Sequence, residues 1–177
     1  MTDFTPRPTV YNGVKMRSRL EAGYAAWLDQ EHHDWQYEPG AFSNTAGQYL
    51  PDFRLNDVWC SWLGRTATVY VEVKPGGWPF EDENDQMYER LMRSMAIIWT
   101  SEPDAVLILE QPETNRSMSD PCRVGILDGS ISPATDPAFP WPYVGHWGEG
   151  PNGRPSLSQV WNRWRGPWPD EWWKVKT

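Results

Sequence analysis

Between residues 17 and 32, apolar side chains recur at Leu20, Tyr24, Trp27 and Leu28, the i, i+4, i+7 and i+8 spacing of a helix with one buried stripe. Trp35-Gln36-Tyr37-Glu38-Pro39 then reads as a short strand ended by Pro39-Gly40, with a polar turn through Ser43, Asn44 and Gly47 after it. Gln48 to Leu55 reads as a second short strand interrupted by Pro51, a residue suited to a strand start, an edge or a bulge. Thr66 to Lys74 is the clearest strand, rich in β-branched residues and stopped by Pro75-Gly76-Gly77. Asp82 offers an N-cap for a helix over roughly 83–98, where Tyr88, Leu91, Met92 and Met95 share one face. Ala105 to Glu110, bounded by Pro103 and Pro112, predicts a buried strand, and Cys122 to Leu127 another. The stretch from Pro133 to Pro155 is dense in proline and glycine and is expected to be irregular, with a last short helix over 156–165. The order helix, three strands, helix, strand predicts a mixed α/β domain over residues 1–130, with 131–177 as a Pro/Gly/Trp-rich extension packed on it.

A chain of 177 residues can bury a real core. No apolar run has the length of a membrane span, and the first ten residues show no apolar segment after basic residues, so neither a membrane anchor nor a secretory leader is expected. Cys60 and Cys122 lack the close spacing of a zinc knuckle or redox motif, and a reduced, intracellular setting is the simplest expectation. The net charge of −8 argues against an indiscriminate DNA-coating protein. Its distribution says more. Residues 1–20 carry four basic and one acidic side chain, residues 140–177 five and three, and residues 21–139 seven and twenty. Acidic residues suit divalent cations, while phosphate contacts need only local positive charge. Thirteen tryptophans, many in the last forty residues, suit a core, a base-stacking platform or a protein-binding surface, and composition does not choose among these.

Four pieces follow one another in a chemically meaningful order: Glu21 on the first helix, Pro51-Asp52 opening a strand, Glu72 within a strand, and Lys74 two residues later. Side chains alternate along a strand, so Glu72 and Lys74 share a face with Tyr70, while Val69, Val71 and Val73 point into the core. Phosphodiester hydrolysis calls for a hard cation that neutralises the phosphate and lowers the pKa of an attacking water. Asp52 and Glu72 could supply two carboxylate ligands from adjacent strands, and the Val73 carbonyl a third. Lys74 could hold the water or stabilise charge on the phosphate.

Pro51-Asp52, then Glu72-Val73-Lys74, with Arg19-Leu20-Glu21-Ala22 upstream on a helix, resembles the PD-(D/E)XK nuclease superfamily. The stretch from Met16 to Gly77 looks like its small phage and bacterial endonuclease-type members, and the resemblance covers about the first 110 residues. It implies a restriction-endonuclease-like core with a central mixed sheet flanked by helices. It further implies Mg²⁺- or Mn²⁺-dependent cleavage of DNA to leave a 5′-phosphate, in the cytoplasm of a bacterium or a phage-infected host. In that reading Asp52 and Glu72 are metal ligands, Lys74 is the catalytic lysine, and Glu21 completes the metal site or orients a water. Gln86 matches the helical glutamine of some relatives, but the QxxxY pattern of one branch is absent because Arg90 takes its last position. Many such folds act as dimers, which leaves homodimerisation open, although no self-complementary surface can be read here.

Other residues carry weaker signals. Arg90 and Arg93 share a helix face with Gln86 and suit phosphate contacts, as solvated surface residues also would. Lys15, Arg17 and Arg19 stand at the start of the first helix, where positive charge opposes the helix dipole, which suggests a role in steering DNA towards Glu21. His32-His33 and His146 are expected to be ordinary surface histidines. In the tail, Trp161, Trp164, Trp168, Trp172 and Trp173 alternate with Arg163, Arg165, Lys174 and Lys176, a pattern suited to single strands or, slightly better, to a packed lid. Two other readings compete with an enzyme: a non-cleaving nucleic-acid- or protein-binding module on the same fold, and an acidic, Trp-rich interaction protein whose motif is accidental.

Overall fold

The computed structural model describes residues 6–74, 85–110, 123–128 and 143–160. In chain order these form β1 (Thr9–Tyr11), β2 (Val14–Met16), α1 (Arg19–Gln30), β3 (Trp35–Tyr37), β4 (Phe42–Asn44), β5 (Gly47–Tyr49), β6 (Phe53–Cys60) and β7 (Arg65–Val73). They continue with α2 (Asp85–Trp99), β8 (Val106–Glu110), β9 (Arg123–Asp128), β10 (Tyr143–Glu149) and β11 (Pro155–Val160). The fold is mixed α/β. One seven-stranded sheet runs β11-β10-β9-β8-β7-β6-β3, and two small hairpins, β1–β2 and β4–β5, flank it. The sheet curls until its first strand meets its sixth: β11 pairs with β6 in parallel through Ser156–Trp59 and Leu157–Cys60. The parallel pair β7–β8 is joined through α2, as parallel neighbours require a long crossover.

The longest helix stripe and the clearest strand form where the sequence places them. Ser18 caps α1 by accepting the Glu21 amide at 3.1 Å, and Tyr24, Trp27 and Leu28 are buried while Leu20 is partly so. Phe53, Leu55, Val58 and Cys60 of β6, Val69, Val71 and Val73 of β7, Val106 and Ile108 of β8, Ile126 and Leu157 all join the same cluster as α1, which fills the inside of the curl. The opposite face of β7 and β8 packs Tyr70, Leu107 and Leu109 with Met95 and Ile98 of α2, and Phe42 and Tyr49 of the β4–β5 hairpin cover its edge.

Several expectations are corrected. The strand begun at Gln48 is two elements: β5 belongs to the small hairpin, and β6 starts after Pro51 and runs to Cys60. A bulge between Leu55 and Val58, with Asp57 at φ 52°, adds one residue on β6 and lets Val58 and Cys60 face inward again. The region expected to be irregular contains β10 and a 3₁₀ turn, and the helix expected from residue 156 is β11; both strands belong to the main sheet rather than to an appended segment. Backbone pairing with β9 and β6 overrides the local proline and glycine content. The turn at Asn12-Gly13, with both residues at positive φ, closes the β1–β2 hairpin. Asp82, Cys122, and the tail beyond residue 160 lie outside the described residues. No helix among the described residues is long and apolar enough to cross a membrane.

Closure of the sheet depends on a close approach at Gly150, just after β10. A Cβ there would stand 2.9 Å from the Ser156 Cβ and 3.1 Å from the Trp59 Cβ, whereas at Gly148 it would meet nothing within 4 Å. Gly150→Ala is therefore expected to destabilise the fold by about 1–3 kcal/mol in urea unfolding, and Gly148→Ala by much less. Equal effects at the two positions would show that β11 does not close against β6.

Candidate functional site

The site forms where the start of β6 meets the end of β7. Phe53 lies opposite Val71 and Arg54 opposite Tyr70, and Asp52, the residue just before β6, stands near enough to Glu72 for that charge to act on it. The Asp52 amide donates to the Val71 carbonyl at 3.0 Å, which fixes this corner. Glu72 lies on the face of β7 shared with Tyr70, away from the Val69–Val71–Val73 core stripe, as strand alternation dictates.

Each carboxylate is held at two ends by different kinds of partner. Asp52, 2% exposed, accepts the Val73 amide on Oδ2 at 2.8 Å and the Arg17 guanidinium on Oδ1. Glu72 accepts the Tyr49 hydroxyl on Oε2 at 2.7 Å, and its Oε1 pairs with the Lys74 ammonium. In both, one oxygen is fixed by a neutral donor and the other faces a cation. Burial, followed by the charge of Glu72, pushes the Asp52 carboxyl up to about 7, against the opposing pull of the Val73 amide, Lys74 and Arg17. Two acids thus crowd one poorly solvated corner. Burial and the Glu72 carboxylate likewise hold the Tyr49 phenol well above its usual range, so it remains a hydrogen-bond donor.

Arg17 ties this corner to the start of α1. Its backbone amide donates to Glu21 Oε2 and to the Tyr37 hydroxyl, each at 3.0 Å, and Tyr37 in turn donates to Glu21 Oε2 at 2.6 Å. Its Nε stands 3.1 Å from Glu38 Oε1 and 3.9 Å from Glu21 Oε1. Glu21 therefore reaches Asp52 through Arg17. Its Oε2 is already taken by Tyr37 and the Arg17 amide, so the structure places it as an anchor for Arg17.

Among the expected site residues, Asp52, Glu72, Lys74 and Arg17 come together, Val73 adjoins them through its amide, and Glu21 stands behind Arg17. Arg19, Arg90 and Arg93 are exposed and lie outside this cluster, as does Lys15 on β2. Gln86 lies in the first turn of α2. Among the described residues no three His, Cys, Asp or Glu side chains group as a metal cage. The pair Asp52 and Glu72 still offers what Mg²⁺ takes from proteins, one or two carboxylates with water filling the remaining positions. His33 is corrected from surface to core: it packs on Trp27 and Trp147, and burial lowers its pKa to about 4.

Four participants escape a reading by motif. Tyr37, Glu38 and Tyr49 carry no motif and reach the site only through the turns that pair β3 with β6 and lay the β4–β5 hairpin over α2 and Tyr70 of β7. Glu110 ends the apolar run of β8, beside Val73, and a carboxylate at the C-terminal end of a parallel strand next to the motif strand is a signal that sequence alone offers. Its carbonyl accepts the Lys74 amide at 2.9 Å, and its side chain takes the Trp147 indole N–H at 2.6 Å and the Tyr24 hydroxyl at 3.5 Å. Oε2 has no partner among the described residues, and burial pushes the carboxyl up to about 8 despite both donors.

Compared with known proteins, the chain matches no family model, no curated protein and no solved structure.

Glu110 yields a pH dependence with a defined sign. Its folded pKa lies above its unfolded value, so the folded state binds the extra proton and the associated stability is lost as pH rises towards about 8. Urea midpoints of the wild type relative to Glu110→Gln are expected to fall between about pH 5 and about pH 9, because the variant cannot ionise. A difference that is flat or rises with pH would contradict a neutral, buried Glu110.

Proposed function

We propose that this chain is a divalent-metal-dependent DNA endonuclease of the PD-(D/E)XK type, with a restriction-endonuclease-like core and Mg²⁺ or Mn²⁺ as its cofactor. The observation that carries this reading is the pairing of β6 with β7, which brings Asp52 beside the end of β7 and within reach of the Glu72 charge, with Lys74 on Glu72. When bound, the cation supplies Lewis-acid chemistry, neutralising the scissile phosphate and acidifying a water. Asp52 Oδ1 and Glu72 Oε1 are the oxygens that would hold it, with the Val73 carbonyl alongside. The Val73 amide and the Tyr49 hydroxyl keep the two carboxylates oriented, so that little reorganisation accompanies reaction. Lys74, about one-third exposed, presents its ammonium at the solvent side of the pair, where it stabilises negative charge on a phosphate or orients the attacking water. Arg7, Lys15, Arg17 and Arg19, on or beside the β1–β2 hairpin that packs on α1, suit approach of a DNA backbone.

One observation favours a non-cleaving binding module instead. Arg17 and Lys74 already balance both carboxylates, as in a purely structural charge cluster, and no third acid groups with Asp52 and Glu72 as a metal cage among the described residues. Supercoiled-plasmid nicking separates the two readings. The wild type is expected to nick DNA with Mg²⁺ or Mn²⁺ and to stop on chelation, and Lys74→Ala to lose about 10²-fold or more in rate while keeping its circular dichroism. Equal cleavage by Lys74→Ala would remove the lysine from the mechanism. Absence of cleavage on duplex, branched or single-stranded DNA would leave the binding module, which gel shift then tests.

A further inference from the structure

One oxygen of Asp52 is held by a backbone amide and the other by the Arg17 side chain. Oδ2 is committed to the Val73 amide at 2.8 Å, a backbone donor that cannot move without unpairing β7 from β8. Oδ1 accepts from the Arg17 guanidinium, whose side chain is 53% exposed whereas Asp52 is 2% exposed, so the guanidinium has solvent to move into. Its backbone is pinned by Glu21 and Tyr37, so the side chain can swing about a fixed Cα. A second berth adjoins it. Glu38 Oε1 already takes Arg17 Nε at 3.1 Å, Glu21 Oε1 lies 3.9 Å from the same atom, and Glu38 is itself one-third exposed. Arg17 is thus flanked by three acids, only one of which belongs to the Asp52–Glu72 pair.

We propose that Arg17 and a divalent cation compete for Asp52 Oδ1, so that cation binding displaces the guanidinium onto Glu38 and Glu21. This rests on the metal-site reading above and adds a regulatory element to it: Arg17 sets the cation concentration at which the site loads. An arginine beside Asp52 balances a carboxylate that would otherwise be buried without compensation. A metal must overcome that pairing, and the berth on Glu38 lowers the cost of doing so. The two acids therefore act in opposite senses from Arg17. Removing the guanidinium removes the competitor, while removing Glu38 removes the place to which it retreats.

Titration calorimetry with Mn²⁺, with circular dichroism confirming the fold, reads both effects. Arg17→Gln is expected to bind Mn²⁺ about tenfold more tightly than the wild type, Glu38→Gln several-fold more weakly, and Asp52→Asn not measurably. Equal or weaker binding by Arg17→Gln, with binding still lost in Asp52→Asn, overturns the competition and leaves the metal site standing. No Mn²⁺ binding by the wild type or by Arg17→Gln overturns the metal-site reading itself. A measurement on the unaltered protein guards against misfolded variants: the Arg17 Nε–H resonance should shift as Mg²⁺ is added. A resonance unchanged through saturating Mg²⁺ overturns the displacement.

Discussion

The burial of one carboxylate, Asp52, governs how this part of the molecule is put together. A carboxylate withdrawn from water must find hydrogen-bond donors and opposite charge or take up a proton. Here the donors come from the end of β7 and from the residue before the N-cap of α1, so compensation of Asp52 stitches a strand pair to a helix start. Everything that positions Arg17 inherits this requirement: Glu21 and Tyr37 hold its backbone, and Glu38 holds its side chain. The second acid of the pair intensifies the demand, because Glu72 disfavours ionisation of Asp52.

The scaffold supports that corner from both sides of the sheet. Inside the curl, Phe53, Val71 and Val73 are buried beneath Asp52 and Glu72, which gives the strand ends a rigid backing. Outside, the β4–β5 hairpin brings Tyr49 to Glu72 and is anchored just past the end of α2 by Asn44, whose side chain donates to the Thr100 hydroxyl at 2.9 Å. The β1–β2 hairpin is fixed to α1 by Tyr11, which donates to Asp29 at 2.8 Å. Arg17 therefore emerges from a joint that is held at both ends.

Much of the core of the site was legible because it rests on strong local signals. The β-branched run at Thr66–Val73 and its alternation predict which side of β7 Glu72 occupies, and the helix stripe places Glu21 near the start of α1. Pairing of β6 with β7 was an inference from adjacency, and the register confirms it. What stayed hidden has identifiable physical causes. The bulge at Asn56-Asp57 breaks the period-two pattern, so β6 looked short when it is eight residues long. β10 and β11 have little local strand propensity and owe their form to sheet neighbours distant in sequence. His33 is polar yet buried because two indoles enclose it, one of them from β10, more than a hundred residues away. The roles of Tyr37, Tyr49 and Glu38 depend on turn geometry that no spacing rule encodes. The Asn12-Gly13 hairpin differs in kind: it is absent from the sequence reading although its dipeptide carries the turn signal.

The parallel seam between β11 and β6 has a temporal consequence. All residues of the acidic corner precede residue 75, yet the interior behind them includes Ile126 and Leu157, and the seam joins Trp59 and Cys60 to Ser156 and Leu157. β3 covers that edge of β6 from Phe53 to Leu55, but during synthesis its far end at Trp59 and Cys60 must wait nearly a hundred residues for its partner, with the apolar face only partly covered. Such distant closure slows folding and exposes an aggregation-prone edge in the nascent chain. The bulge that bends this strand, with the charged Asp57 at its turn, is the kind of irregularity that discourages another chain from pairing there in the interval.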